Sequence, residues 1–184
     1  MDIMAGRPRS FDPETALIVA MEQFWREGYE ATTIAKLTES MGITPPSLYA
    51  AFGDKDELFA AAGKLYVDTI TAQFEKALAL PTLREAVTEI LVLTAAAHTD
   101  EGTPPGCFLA SEPRLAAQRA ALRERLARRV QQAVQDGDAP EGTDAEQVAS
   151  YVMAAHSGMS SRARDGASSA ALMAIAQMAL NALP

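Results

Sequence analysis

At 184 residues with 48% hydrophobic content, the chain is long enough for one or two domains with a packed core, and its formal net charge of −8 argues against nucleic-acid binding by bulk positive charge. No run of 18 uncharged apolar residues occurs, and Arg7, Arg9, Asp12 and Glu14 fall where a signal peptide needs an apolar centre, so no membrane partner is expected and the cytoplasm is the expected compartment. A single cysteine, Cys107, excludes an intrachain disulfide framework and a multi-cysteine metal cluster.

Residues 1 to 11 read MDIMAGRPRSF. Proline holds the residue before it in extended backbone, so Arg7-Pro8-Arg9 reads either as an arm able to lie in a narrow DNA minor groove or as an ordinary polar terminus. Asp12-Pro13 is a helix start, a capping residue followed by proline at the first helical position. Ala16, Val19, Ala20, Met21, Phe24 and Trp25 then recur at helical spacing until Gly28, a supporting helix with its aromatic pair in the core.

Thr32 to Lys55, TTIAKLTESMGITPPSLYAAFGDK, reads as two short helices meeting at a glycine, the signature of a helix-turn-helix. Thr33 caps the first, whose inward positions are Ile34, Leu37, Thr38 and Met41. Gly42 supplies the left-handed turn. Thr44 caps the second, with Pro45 and Pro46 where missing N–H groups cost nothing. Leu48 and Phe52 face inward, leaving Pro46, Ser47, Tyr49 and Ala50 outward, a face that fits the major groove about 12 Å wide. The first 55 residues hold five cations and eight anions, so contact with DNA has to come from particular groups and helix N-termini. A fourth helix opens at Asp54 with Lys55 in its first turn, where a cation opposes the helix dipole and makes better sense as a phosphate contact. Its apolar positions are Leu58, Phe59, Ala62, Leu65, Tyr66, Thr69 and Ile70.

Phe11 to Tyr66, above all Gly28-Tyr29, Thr32-Thr33, Gly42-Ile43-Thr44, Leu48-Tyr49, Phe52 and Lys55, resembles the TetR family of bacterial transcriptional regulators. The resemblance implies that Tyr49, Thr44 and Lys55 touch the DNA backbone. It also implies an all-α fold of about nine helices, with an N-terminal three-helix helix-turn-helix domain (1–55) and a C-terminal helical ligand-binding and dimerisation domain (56–184). The expected DNA contacts are Arg7, Arg9, Thr33, Thr44, Pro45, Pro46, Ser47, Tyr49 and Lys55. Two departures from the family pattern occur. Thr38 replaces the usual alanine, tolerable if its hydroxyl bonds back to a helix carbonyl. Pro45-Pro46 replaces a small or polar pair, shifting base readout toward apolar contact with thymine methyls.

Beyond Pro81 the chain reads as helical throughout. A helix around Leu83, Val87, Ile90, Leu91 and Thr94 is apolar nearly all round and ends at His98, followed by a flexible acidic loop, Thr99 to Pro105. Gly106 to Ala110 opens a short helix that Pro113 ends. Arg114 to Asp136 forms a long helix in which Arg114, Arg125, Arg128 and Arg129 oppose the stripe of Leu115, Leu122, Leu126 and Val130, the pattern of a solvated face. Arg119 and Arg123 fall inside the stripe and need partners, either carboxylates of another helix or an anionic ligand. Helices spanning 144–164 and 168–183 carry small residues, among them Ala154, Ser157, Gly158, Ala170 and Ala174, that allow close approach. They predict a homodimer through a two-fold four-helix bundle, which sets two wedges on half-sites about 34 to 36 Å apart.

These features predict a dimeric, ligand-responsive regulator, a repressor if the resemblance holds, released from a palindromic double-stranded operator by a small-molecule effector. Candidates for the effector pocket are Tyr66, Leu91, Thr94, His98, Phe108, Glu112, Met153, His156 and Met159, which mix apolar bulk with a few polar groups on central helices. An alternative makes Cys107 a redox or electrophile sensor, against a buried packing role beside Phe108. An enzyme is not expected, since His98 and His156 stand 58 positions apart and no phosphate loop or paired-carboxylate motif occurs. No cofactor and no metal site is expected either.

Overall fold

The computed structural model describes residues 11–184, which among themselves form helices and no strand. Arg7 and Arg9, the expected groove-binding arm, lie outside the described residues. The chain divides into two compact units between Ala62 and Gly63.

The first unit holds α1 (Pro13–Ala31), α2 (Ile34–Met41), α3 (Pro45–Phe52) and the opening of α4 (Lys55–Leu78). Asp12 caps α1 by accepting from the N–H groups of Glu14 (3.3 Å) and Thr15 (3.1 Å). Gly28, at φ 78° and ψ 167°, interrupts the helical path. The backbone leaves the α region there, and Tyr29 is carried inward. Its ring stacks on Phe24 at 6.1 Å and meets Phe59 edge-on at 5.1 Å, while Phe24 and Phe59 meet edge-on at 5.2 Å. Around this trio Leu37, Leu48 and Leu58 are fully buried. Burial of each such side chain stabilises by about 1.5–3 kcal/mol. Because Leu58, Phe59 and Ala62 all contribute to this core, the unit extends to Ala62, past the boundary at residue 55 expected from the motif alone.

The turn between α2 and α3 follows the expected chemistry. Gly42 adopts φ 65° and ψ 32°, and Thr33 and Thr44 cap their helices by accepting from Lys36 N–H and Ser47 N–H. Thr38, the unusual residue at its position, donates its hydroxyl to Ile34 O at 2.9 Å and Ala35 O at 3.0 Å, so its burial leaves no polar group unmet.

The second unit begins at Gly63 within α4 and continues through α5 (Leu83–Ala97), α6 (Phe108–Ser111), a single 3-10 turn (Pro113–Leu115), α7 (Ala116–Gln135), α8 (Ala145–Arg164) and α9 (Ser169–Asn181). Thr82 and Glu85 form a capping box on α5, and Asp144 and Ser168 cap α8 and α9. α5 packs against α9, α8 and α7, and α7 against α8. One side of α5 is nevertheless open, with Leu93 exposed, so the helix is not buried all round as its composition suggested.

The arginines of α7 are more deeply engaged than a solvated face. Arg129 donates to the carbonyls of Leu78 (3.1 Å), Leu80 (3.3 Å) and Pro81 (3.2 Å), and lies 3.8 Å from Asp138. It thereby caps the negative C-terminal end of α4. Asp138 in turn accepts from Leu83 N–H at 2.6 Å at the start of α5. Arg125 pairs with Glu75 of α4, and Arg128 is exposed. Of the two arginines inside the stripe, Arg123 pairs with Glu146 of α8, as one alternative anticipated. Arg119 takes a route neither alternative included. It donates to the backbone carbonyls of Leu109 (2.8 Å) and Glu112 (2.7 Å).

Candidate functional site

Two places gather candidate functional groups, one in each unit. In the first, the buried Leu48 fixes α3 so that its other side faces outward, with Pro45, Pro46, Tyr49 and Ala50 exposed and Tyr49 at 50% exposure. Thr44 and Ser47 hydroxyls lie 2.9 Å apart at the α3 N-terminus, and Thr33 is exposed at the α2 N-terminus. These are hydroxyls beside helix ends whose N–H groups favour anions. Cations are scarce there. Arg26 pairs with Glu22 at 2.8 Å, and Lys36 with Glu27 at 2.6 Å, a bond that holds the Glu27 carboxyl below its usual range. Lys55 sits over the Tyr29 ring, 4.0 Å from its centroid, while the Tyr29 hydroxyl donates to Asp56 at 2.7 Å. Lys55 therefore also stabilises the fold through a cation–π contact, which the dipole argument alone did not foresee. The sequence pattern located Thr33, Thr44, Pro45, Pro46, Ser47, Tyr49 and Lys55 on or beside this face; the engagement of Lys36 and Lys55 had no signal in local spacing.

In the second unit, the loop after α5 returns the chain to α8. Gly106 N–H donates to His98 O at 2.9 Å, and Cys107 N–H donates to the buried Ser160 hydroxyl at 2.9 Å. Within the loop, Asp100 accepts from Gly102 N–H at 2.9 Å, so this segment, expected to be flexible, is tied by its own hydrogen bonds. Gly106 has φ 78°, and a Cβ there would lie 2.8 Å from Ser160 O. Only glycine fits both constraints.

This closure brings together three residues far apart in sequence. Donor atoms of His98, Cys107 and His156 all lie within 4.8 Å of one another, and the two imidazole rings meet edge-on at 5.0 Å. The Tyr66 hydroxyl donates to Cys107 Sγ at 3.3 Å, and its ring meets Phe108 edge-on at 5.6 Å. His98 is 5% exposed and His156 somewhat more open, yet the Nδ1 atoms of both are buried without a hydrogen-bond partner. Burial, with His156 adding to it, pushes His98 down to about 3, and burial pushes His156 down to about 4. Both imidazoles are therefore neutral near pH 7. Burial pushes the Cys107 thiol up. A protonated, sealed thiol is the opposite of the exposed thiolate that oxidants and electrophiles attack, which weighs against the sensor reading.

Of the pocket candidates, Tyr66, His98, Phe108 and His156 gather around Cys107. Leu91 and Thr94 are buried on the side of α5 that carries His98, and Thr94 donates to Ile90 O at 2.7 Å. Met159 is fully buried on α8 and Met153 partly so. Glu112 is buried but turns to cap the 3-10 turn, accepting from Arg114 N–H at 3.0 Å. The juxtaposition of His98, Cys107 and His156 has no signal in the sequence, because it is made by loop closure and not by a short spacing motif.

Two helices of the second unit also expose small and apolar residues. Tyr151, Ala154 and Gly158 of α8 are exposed at helical spacing, and Ala170, Met173, Ala174 and Met178 of α9 likewise, Met178 at 74%. Among the described residues no helix is long and apolar enough to cross a membrane.

Residues 17–62 match the family described as bacterial regulatory proteins, tetR family. Over 97% of its length the chain is 34% identical to the HTH-type transcriptional repressor ComR of Escherichia coli K12, covering 92% of that protein. It is 37% identical to the repressor BdcR of the same organism over 105 residues, 56% of this chain and 53% of BdcR. Among solved structures, a cysteine mutant of the TetR family regulator CifR complexed with 26-bp operator DNA superposes with a TM-score of 0.86 at 38% identity, covering 97% of this chain and all of that one.

Proposed function

This chain belongs to the TetR family of bacterial transcriptional regulators, and on that premise we propose that it is a dimeric repressor, released from a palindromic operator by a small effector. The observation that carries the reading is the α3 face, with Pro45, Pro46 and half-exposed Tyr49 presented around a wholly buried Leu48. Thr33, Thr44, Ser47, Tyr49 and Lys55 hold phosphates, the Arg7-Arg9 arm follows the minor groove, and the proline pair meets thymine methyls. The relatives named as repressors, and CifR bound to operator DNA, support this assignment. The DNA-binding part runs to Ala62 and the remainder serves effector binding and pairing. The protein works in the cytoplasm, where its operator is.

One wedge spans only a few base pairs, so affinity requires two. The open faces of α8 and α9 suit the pairing: small side chains at Ala154, Gly158, Ala170 and Ala174 allow close approach, while Tyr151, Met173 and Met178 leave water on association. A coupling of about 1–3 kcal/mol between effector and DNA sites changes operator affinity about 5- to 150-fold. Mobility-shift titration of the full chain with DNA from its own promoter region tests the reading. A shift that weakens on Tyr49→Ala is expected, and no shift at low salt would refute it.

A further inference from the structure

We propose that His98, Cys107 and His156 form a binding site for a thiophilic d10 metal ion, copper(I) or zinc(II), and that this ion is the effector. The site is built from three separate stretches of chain: the end of α5, the loop before α6, and α8. Donor atoms within 4.8 Å of one another are close to what an ion needs. A trigonal ion with bonds of about 2.0–2.3 Å holds its donors roughly 3.5–4 Å apart. The remaining contraction is at most about 1.3 Å, within reach of small side-chain rotations.

Two independent observations point to a ligand. His98 is 95% buried, the complement of its 5% exposure, and its Nδ1 has no hydrogen-bond partner; the same is true of the Nδ1 of His156. A buried polar atom left unmet carries a desolvation cost, and each of the two rings that carry these atoms brings a nitrogen within 4.8 Å of the Cys107 sulfur. The scaffold also fixes the thiol. Cys107 N–H is bonded to Ser160, one turn beyond His156 on α8, while Gly106 is bonded to the carbonyl of His98 itself. Tyr66 donates to Sγ, an outer contact of the kind that orients a metal-bound thiolate. His156 is the least enclosed of the three residues.

The donor set selects the class of ion. One sulfur and two imidazoles suit copper(I) and zinc(II) and disfavour magnesium and calcium, which take oxygen ligands. On binding, the Cys107 S–H bond gives way to a sulfur–metal bond, and the proton leaves to solvent with no change of oxidation state. Charge then orders the two ions. One thiolate cancels copper(I) completely but leaves a net positive charge with zinc(II), in a buried site that already has Arg119 close enough to act on Cys107. Three protein donors also complete a coordination shell for copper(I), whereas zinc(II) requires a fourth ligand.

The effector part of this inference rests on the repressor reading, so the test separates them. Reduced, chelator-stripped full-length protein is titrated anaerobically against the copper(I)–bathocuproine disulfonate complex, and in parallel against zinc(II) held by a chromogenic indicator. One copper(I) per chain is expected to leave the chelator, with affinity falling at least 10-fold in Cys107→Ser and in His156→Gln. The parent failing to compete, or Cys107→Ser competing equally well, overturns the site. Tighter zinc than copper binding overturns the charge ordering. Circular dichroism and metal-free mobility shifts establish that each variant is folded. Metal-loaded protein is expected to bind operator at least 5-fold more weakly than metal-free protein. Stoichiometric metal binding with unchanged operator affinity overturns the effector role. Metal-free protein that shifts no DNA instead removes the repressor reading, while the metal titration still stands or falls alone.

Discussion

Gly106 and Gly137 have nearly the same backbone, φ 78° and 76°, in opposite surroundings. A Cβ at Gly137 meets nothing within 4 Å, whereas one at Gly106 lies 2.8 Å from Ser160 O, 2.8 Å from Arg164 Cγ and 3.0 Å from Ser160 Oγ. Gly137→Ala therefore isolates the conformational cost of a side chain in the left-handed region, about 1–2 kcal/mol. Gly106→Ala carries the same cost and adds an overlap. The flexible Arg164 stem can move aside, but Ser160 O belongs to the α8 backbone and cannot. Relief requires the loop to shift, which strains two hydrogen bonds, Gly106 N–H to His98 O and Cys107 N–H to Ser160 Oγ. At about 1 kcal/mol each, their loss brings Gly106→Ala to about 3–4 kcal/mol. The measurement is urea denaturation followed by far-UV circular dichroism, with midpoints compared at a common slope. A gap of about 2 kcal/mol between the variants is expected. If the two agree within about 0.5 kcal/mol, the loop is not seated against α8 as described.

Arg129→Met keeps the apolar stem but removes the donors to Leu78, Leu80 and Pro81, leaving three carbonyls and Asp138 without their cation. A loss of about 2 kcal/mol in the same denaturation assay is expected, while exposed Arg128→Met changes stability by under about 0.5 kcal/mol. His98 and His156 have folded values of about 3 and 4 against the usual 6.5, so the unfolded chain takes up protons first as pH falls. Stability contributed by the neutral imidazoles is complete above about pH 6.5 and is lost below it, by about 2 kcal/mol per histidine at pH 5 in chelator-treated protein. His98→Phe with His156→Gln should flatten that part of the pH profile; an unchanged slope counts against their burial as neutral pairs. Buried Cys107 should react with Ellman's reagent at least 100-fold more slowly in folded, metal-free protein than in urea, measured by thionitrobenzoate release. Comparable rates would restore the sensor reading.

Local chemistry was enough for everything that depends on neighbours within a turn or two. Asp12-Pro13, Thr33, Gly42 and Thr44 start and stop helices by bonds to groups three or four residues away, and the positions of Leu37 and Leu48 follow from helical period alone. For the same reason the α8 and α9 boundaries, capped by Asp144 and Ser168, were legible. What spacing could not reveal were contacts closed over long stretches of chain. Arg129 looked solvated because a helical wheel records only its own helix, whereas its partners are carbonyls at the end of α4, some fifty residues earlier. The first unit reaches Ala62 because Phe59 completes an aromatic trio with residues of α1, a fact of packing and not of motif. His98, Cys107 and His156 are unremarkable singly in the sequence. A left-handed glycine and two hydrogen bonds fold the loop back onto α8, and only that closure sets two imidazoles, each with an unpartnered Nδ1, beside one thiol.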